Sequence, residues 1–354
     1  MTEDYDGLDP RDLDEAIAHC GPALESLRGA NLFITGGTGF FGRWLLATIA
    51  RAHRQFGIRA TALTRNPQAF RAAYPALADH AAISLAHGDV RYFEFPKGRF
   101  SHVVHAATDT SVAADSDSAT LIDTVVSGTA RVLEFAAAAR AERLLYVSSG
   151  AVYGPQPTDI DAIDEDYRGA PDPCDPRSAY GQAKRVAEQM CVCAMAKGAL
   201  QPVIARAFAF VGPGLPLDAH FAIGNFIGDA VAGRDVVVAG DGSPLRSYLY
   251  AGDLAAWLLT LLAKGRAGAA YNVGSDEPIA IGDLARKAAH HAADGRRAII
   301  KGEANANAAR SRYIPSIARA RALGLDVWTS LDSAILKTVD HARARSHSPA
   351  PSPA

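Results

Sequence analysis

Three stretches of the 354-residue chain combine residue types and spacings that could do chemistry. The first, Asn31-Leu-Phe-Ile-Thr-Gly-Gly-Thr-Gly-Phe-Phe-Gly42, is an apolar run that breaks into glycines. It then resumes with Trp44, Leu45, Leu46 and Ile49 at helical spacing. A turn made of Gly36, Gly39 and Gly42, with Phe40 and Phe41 between them, lets backbone N–H groups approach a pyrophosphate, and the helix behind it adds the positive end of its dipole. It predicts a dinucleotide site, although a Gly-rich turn also ends ordinary strands. The second stretch, Ser178-Ala-Tyr-Gly-Gln-Ala-Lys184, sets Tyr180 and Lys184 four apart, hence on one face of a helix. Taken alone, that pair reads as a surface aromatic beside a surface charge. In the third, Thr64 and Arg65 stand at the end of a second strand, where a dinucleotide fold reads the adenosine ribose and an acid would bind the 2′-OH of NAD. A guanidinium suits a phosphate there, so Arg65 leans the expectation toward NADP, beside the plain reading of an arginine in a loop.

The elements that must position these residues follow in order. Strands are predicted at Asn31–Thr35, Arg59–Thr64, Ile83–Ala86, Ser101–Ala107, Arg143–Ser149 and Pro202–Phe208, with a long helix at 121–139. Strands alternating with helices at this spacing imply a parallel, doubly wound sheet with helices on both faces. The third strand ends in Gly88-Asp89-Val90, where Asp89 is placed to accept from an adenine amino group. Small residues at Ala106 and Ala107 let the backbone pass close to a cofactor. The reading divides the chain into an extension at 1–29 with one helix (Leu13–Leu27) on the domain surface, a dinucleotide-binding domain at 30–205 and 234–263, and a smaller substrate lobe at 206–233 and 264–342. A Ser/Pro-rich tail at 343–354 is expected to be disordered.

Composition excludes several classes. The formal net charge is −2 with basic residues scattered singly, so nothing points to nucleic acid or an anionic membrane surface. No apolar run is long enough to span a bilayer and the opening residues are acidic, so a soluble, cytoplasmic protein is expected. Four cysteines, Cys20, Cys174, Cys191 and Cys193, are too few and too uneven for a disulfide framework or a paired zinc site, and no metal is expected.

The glycine turn, Gly88-Asp89, His105-Ala106-Ala107, Ser148-Ser149 before Val152-Tyr153-Gly154, Tyr180-x-x-x-Lys184, Gly240-Asp241-Gly242 leading to Arg246, Asp253, Tyr271-Asn272-Val273-Gly274 and Arg319-Ala-Arg-Ala-Leu-Gly324 occur in register. Together they resemble the extended short-chain dehydrogenase/reductases, in their nucleotide-sugar epimerase/dehydratase branch. The resemblance covers roughly residues 31–342 and implies a Rossmann-type domain, NAD or NADP as cofactor, a nucleoside-diphosphate sugar as substrate, and a homodimer through the Tyr180/Lys184 helix. It makes Tyr180 the acid/base at a sugar hydroxyl while hydride moves from the same carbon. A free phenol titrates near ~10, so a nearby ammonium such as Lys184 and the nicotinamide's positive charge are needed to favour phenolate. It also has Lys184 hold the nicotinamide ribose and Ser149 bond the reacting oxygen. Asn225 and Arg246 match diphosphate-gripping positions, Tyr271 and Asn272 lie near the same moiety, and His220 approaches the sugar.

Dehydratase relatives carry an Asp-Glu pair after the catalytic Ser/Thr, and decarboxylating relatives keep an acid there. Here Gly150 and Ala151 stand instead, so elimination lacks its acid and base. Ala209 and Ser247 replace two further substrate-pocket residues of the pattern. The expectation is C4 epimerisation of a nucleoside-diphosphate hexose through a transient 4-keto sugar. NADPH-dependent 4-ketoreduction is the alternative, ahead of dehydration or a cofactor-binding regulator without chemistry.

Overall fold

The computed structural model describes residues 5–108, 117–198, 200–219, 221–292, 295–303 and 310–346. Seven strands form its central sheet: β1 (Asn31–Thr35), β2 (Arg59–Thr64), β3 (Ile83–His87), β4 (His102–His105), β5 (Arg143–Ser149), β6 (Gln201–Ala207) and β7 (Ala270–Val273). They run parallel throughout in the order β7-β6-β5-β4-β1-β2-β3. Residues 32–35 of β1, all of β4 and residues 144–149 of β5 are buried, as a parallel sheet covered on both faces demands. The strand order reverses at β1, between β2 and β4. In such sheets the crevice beyond the strand C-termini at that point is where ligands sit.

The helices are α1 (Pro10–Cys20), α2 (Phe40–Phe56), α3 (Ser118–Ala138), α4 (Ala179–Lys197), α5 (Ala222–Val231), α6 (Ala251–Lys264), α7 (Ile281–His291) and α8 (Leu331–Ser346). α3 and α4 pack together over one face of the sheet, around Phe33, Phe135, Tyr146 and Cys191. α1, α2 and α6 cover the other, around Trp44, Leu254, Trp257 and Leu258. α5, α7, a sheet of Leu245–Arg246, Ile279–Ala280 and Arg312–Tyr313, and the pair Val236–Val238 with Ala298–Ile300 build a smaller lobe.

Five expectations change. The N-terminal segment is core rather than surface decoration: Leu13, Leu24 and Leu27 are wholly buried. Buried Asp12 accepts from the Tyr250 hydroxyl at 2.6 Å and pairs with Lys337. Its single helix is two, because Pro22 has no N–H for the helical ladder and Gly21 turns with positive φ. Val236–Val238 does not return to the central sheet: among the described residues it pairs only with Ala298–Ile300, and it leaves Val237 half-exposed. The sheet is completed by β7, lodged beside β6 from Ala270↔Ile204 to Val273↔Ala207, so residues 270–273 belong to it and not to the lobe. At the C-terminus α8 runs through Ser346, past the expected boundary at 342, and residues 347–354 lie outside the described residues.

Candidate functional site

β1 delivers the chain into the glycine turn. Gly36 has φ +71°, and a Cβ there would lie 2.5 Å from the Ala106 carbonyl oxygen and 2.8 Å from the Ala107 nitrogen, so only glycine lets the turn lie against Ala106 and Ala107. Gly42, inside α2, packs directly on the Gly36–Gly37 backbone. Gly39 is less confined: a Cβ there would meet the Gly36 carbonyl oxygen at an ordinary contact distance of 3.5 Å. It is the N-cap of α2, with no side-chain cap and no acid in the first turn. The first N–H groups of α2, at Phe40 and Phe41, thus have no capping side chain from Gly39. That is the donor set and dipole end a pyrophosphate needs, and these residues fit a dinucleotide.

Behind the turn, a buried relay fixes the Ala106–Ala107 strip. Thr35 Oγ1 lies 2.7 Å from His105 Nδ1 and accepts from the Ala107 N–H at 3.2 Å, while His105 Nε2 lies 3.1 Å from Thr129 Oγ1. Because the Thr129 hydroxyl donates to the Val125 carbonyl at 2.6 Å, it accepts from Nε2–H, which sets the neutral tautomer. Burial, aided by the Lys184 charge, pushes His105 down to about 3. At the end of β3, the Asp89 carboxylate is gripped by Arg91 through its backbone N–H and guanidinium, and Arg91 also reaches Asp123 at 3.0 Å. Arg65, exposed beyond β2, adds its field to the lowered Asp89 carboxyl, whose shift comes first from Arg91. Val90 packs on Gly128 of α3, where a Cβ would come within 2.9 Å.

The catalytic candidates come together at the C-terminal end of β5. Ser149 closes β5, accepting from the Ala151 N–H at 3.1 Å. Tyr180 and Lys184 share one face of α4, as their spacing implied, with Lys184 Nζ 5.8 Å from the Tyr180 ring centre. Lys184 is buried and donates to Thr108 Oγ1 at 2.7 Å and to the Val147 carbonyl at 2.8 Å. Burial pushes it down to about 7. Burial likewise raises Tyr180, and hydrogen bonding to Ser149 opposes that rise.

A second phenol stands in the same cluster. The Tyr313 hydroxyl interacts with Ser149 and feels both Tyr180 and Arg246, with burial raising it well above the usual phenol range. A Cβ on Gly150 would lie 2.5 Å from that hydroxyl and 2.9 Å from Phe208 Cζ, so Tyr313 and Phe208 fill the space a side chain at 150 would enter. Tyr313 is held there because the 312–316 segment is laced to the loop after Gly154. Ile314 N–H donates to Gln156 Oε1 at 2.9 Å, Ile163 N–H to the Ile314 carbonyl at 2.9 Å, and Arg312 pairs with Asp161. Under the site, Glu188 of α4 accepts from Ser148 at 2.6 Å and from Arg206 at 3.0 and 2.7 Å, and the Arg206 guanidinium lies over the Tyr153 ring.

The other sequence candidates divide. Arg246 pairs across strands with Tyr313 and donates to the Leu245 carbonyl at 2.8 Å, which places it at the site's rim. Asn225 is exposed on the first turn of α5. His220 lies outside the described residues. Tyr271 and Asn272 sit inside the fold, which corrects their expected place at the substrate. The Tyr271 hydroxyl accepts from the Arg266 N–H at 3.0 Å, and fully buried Asn272 donates to the Ile163 and Ser316 carbonyls while accepting from Tyr153 at 2.7 Å. With both amide N–H bonds taken, Asn272 is a bridge between β7 and the loops around it. Sequence reasoning missed Thr108, which directly follows the Ala106–Ala107 strip, and Tyr313, for which no local motif signals. Among the described residues no group of three His, Cys, Asp or Glu could hold a metal, and no helix is long and apolar enough to cross a membrane.

Comparison with known proteins agrees with this geometry. UDP-glucuronic acid decarboxylase 1 of Xenopus tropicalis is 29% identical over 202 residues, 57% of this chain and 47% of the relative. The match thus spans about half the length of that curated relative. Among solved structures, UDP-glucose 4-epimerase of Thermotoga maritima with UDP-glucose superposes with TM-score 0.75 at 19% identity, covering 90% of this chain and 100% of that one. MoeE5 in complex with UDP-glucuronic acid and NAD superposes with TM-score 0.72 at 25% identity, covering 89% and 100%. Residues 32–274, well over half the chain, match the model of the NAD dependent epimerase/dehydratase family, and the chain belongs to that family.

Proposed function

We propose that this protein is an NAD-dependent nucleotide-sugar C4 epimerase. The observation that carries the reading is local: Ser149, Tyr180 and Lys184 are all in place, whereas the two positions after Ser149 hold Gly150 and Ala151, and the Tyr313 hydroxyl occupies the room beside them. An elimination would need a titratable acid and base at those positions. NAD, bound along the glycine turn, supplies a hydride acceptor that can return what it takes.

The chain's own groups supply the rest. Tyr180 takes the proton of the C4 hydroxyl and gives it back after the 4-keto sugar has turned. Ser149 bonds the same oxygen and, by bonding the phenol, eases its ionisation. Lys184, held by Thr108 and the Val147 carbonyl, has one N–H of its ammonium left for the nicotinamide ribose. Arg246 at the rim suits a diphosphate, since a guanidinium offers several donors to phosphate oxygens. Asn225 on α5 is its expected partner.

The relatives' names and bound molecules make a UDP-hexose or UDP-hexuronic acid the first substrate to offer. With a uronic acid, oxidation at C4 leaves the carboxylate β to a ketone, which favours loss of CO2. An epimerase must therefore return its hydride faster than the acid decarboxylates. Incubating the NAD-loaded protein with UDP-glucose and UDP-glucuronic acid and following products by proton NMR tests this. A C4 epimer supports the reading, and a UDP-pentose or a 4-keto-6-deoxy sugar sinks it. Net ketoreduction is the second reading, favoured by Arg65 at the end of β2; stoichiometric loss of NADPH absorbance with a 4-keto sugar would establish it. A homodimer through α3 and α4 fits the 47% exposure of Val186 and the 41% exposure of Ile122, and light scattering after gel filtration tests it.

A further inference from the structure

The chain leaving β4 runs Ala106-Ala107-Thr108, and this short strip touches two walls of the site. Ala106 and Ala107 lie against the glycine turn, since a Cβ on Gly36 would stand 2.5 Å from the Ala106 carbonyl oxygen and 2.8 Å from the Ala107 nitrogen. β1 holds the strip there. The Ala106 N–H donates to the Thr35 carbonyl at 3.2 Å and the Ala107 N–H to Thr35 Oγ1 at 3.2 Å. The next residue, Thr108, reaches the opposite wall, where its Oγ1 lies 2.7 Å from Lys184 Nζ on α4.

A neighbour settles the direction of that last bond. Thr108 Oγ1 also lies 2.8 Å from the Ala107 carbonyl oxygen, and because a carbonyl only accepts, the hydroxyl proton is donated there. Thr108 therefore meets Lys184 as an acceptor. The ammonium has three N–H groups. One goes to Thr108 and a second to the Val147 carbonyl of β5 at 2.8 Å, and these two bonds fix where the third points. The rings of Tyr146 and Tyr180, with centres 5.0 and 5.8 Å from Nζ, flank the charge. Of these contacts, Thr108 is the one that comes from the strip lying on the glycine turn. A lysine stem is four carbons long and flexible, so without that acceptor Nζ can swing about the Val147 carbonyl.

We propose that Thr108 is a positioning residue for the nicotinamide half of NAD: it fixes the Lys184 ammonium relative to the turn that takes the pyrophosphate. The pyrophosphate and the nicotinamide ribose are covalently joined, so the two grips on them must keep a set spacing. Here three consecutive residues set it. Thr108 acts through Lys184, and its role rests on the reading that this lysine bonds the nicotinamide ribose.

The test is calorimetric titration of the full chain with NAD and, separately, with ADP. ADP carries the adenosine and the diphosphate but no nicotinamide ribose, so it reports the turn alone. Thr108→Val keeps the shape and removes the acceptor. It should weaken NAD binding about tenfold, the low end of what one hydrogen bond to a charged group carries, and leave ADP binding unchanged. Thr108→Ser keeps the hydroxyl and should bind NAD as the parent does. In a Lys184→Met background, itself weakened toward NAD, Thr108→Val should add no further loss. Equal losses for NAD and ADP, equal losses in the Val and Ser variants, or a full further loss beside Lys184→Met would overturn the proposal. So would an unweakened Thr108→Val beside a weakened Lys184→Met, whereas an unweakened Lys184→Met would overturn the reading of Lys184 together with it. No sugar enters these titrations, so a product analysis that sank C4 epimerisation would leave their outcome standing.

Discussion

The packing of Gly150 against Tyr313 makes a prediction with a definite size. A methyl at 150 would stand 2.5 Å from the Tyr313 hydroxyl and 2.9 Å from Phe208 Cζ, about 1 Å inside the ~3.5 Å at which such contacts become favourable. Gly150→Ala should therefore destabilise by about 1–3 kcal/mol through overpacking. Tyr313→Ala loses a ring that is only partly buried, and should cost toward the lower end of the ~3–5 kcal/mol seen for aromatic truncation. In the double variant the methyl enters space the ring has left and only the 2.9 Å approach to Phe208 Cζ remains, so Gly150→Ala should lose most of its cost there. The cycle then gives a coupling of about 1–3 kcal/mol in the favourable direction. Urea unfolding of the four proteins, compared at equal m-values, measures it. Additivity within about 0.5 kcal/mol would refute the claim that Tyr313 is what closes position 150.

Other consequences follow from the same geometry. Tyr180→Phe should lower turnover by about 10²–10⁴ with NAD binding retained, read by initial rates and cofactor titration. Glu188→Ala strands the Arg206 guanidinium and the Ser148 hydroxyl under the site, and should cost about 3–5 kcal/mol in denaturant unfolding. His105 stays neutral when folded down to about 3, while the unfolded chain takes up that proton near the ordinary ~6.5. The unfolded state thus binds more protons in that window, and stability falls as pH drops through it, by up to about 1.4 kcal/mol per unit from this group. His105→Gln should remove that part of the slope in unfolding measured from pH 7 to pH 4, whereas an unchanged slope would show that His105 is charged when folded.

What the sequence revealed was local. The β1–turn–α2 unit is specified within a dozen residues, β5 ends where its apolar run ends at Ser149, and a spacing of four sufficed to put Tyr180 and Lys184 on one face. What it hid depends on partners far along the chain. Tyr313 reaches Ser149 only because a loop and a short strand more than a hundred residues apart are laced together, and nothing around Arg312-Tyr313 announces it. Val236–Val238 looks like a core strand, yet it buries alternate residues in a two-stranded pair, while Ala270–Val273, only one residue longer, takes the sheet's edge. The family resemblance alone puts Asn272 near the diphosphate; its bonds to Ile163, Ser316 and Tyr153 are what make its burial tolerable.

Hydride chemistry confined to one carbon is most directly tested with a UDP-sugar carrying deuterium at C4. The NAD-loaded protein should convert it to the C4 epimer with deuterium retained at C4 and no net NADH in solution. Release of CO2, appearance of a 4-keto-6-deoxy product, or an epimer whose C4 has lost the label would contradict it.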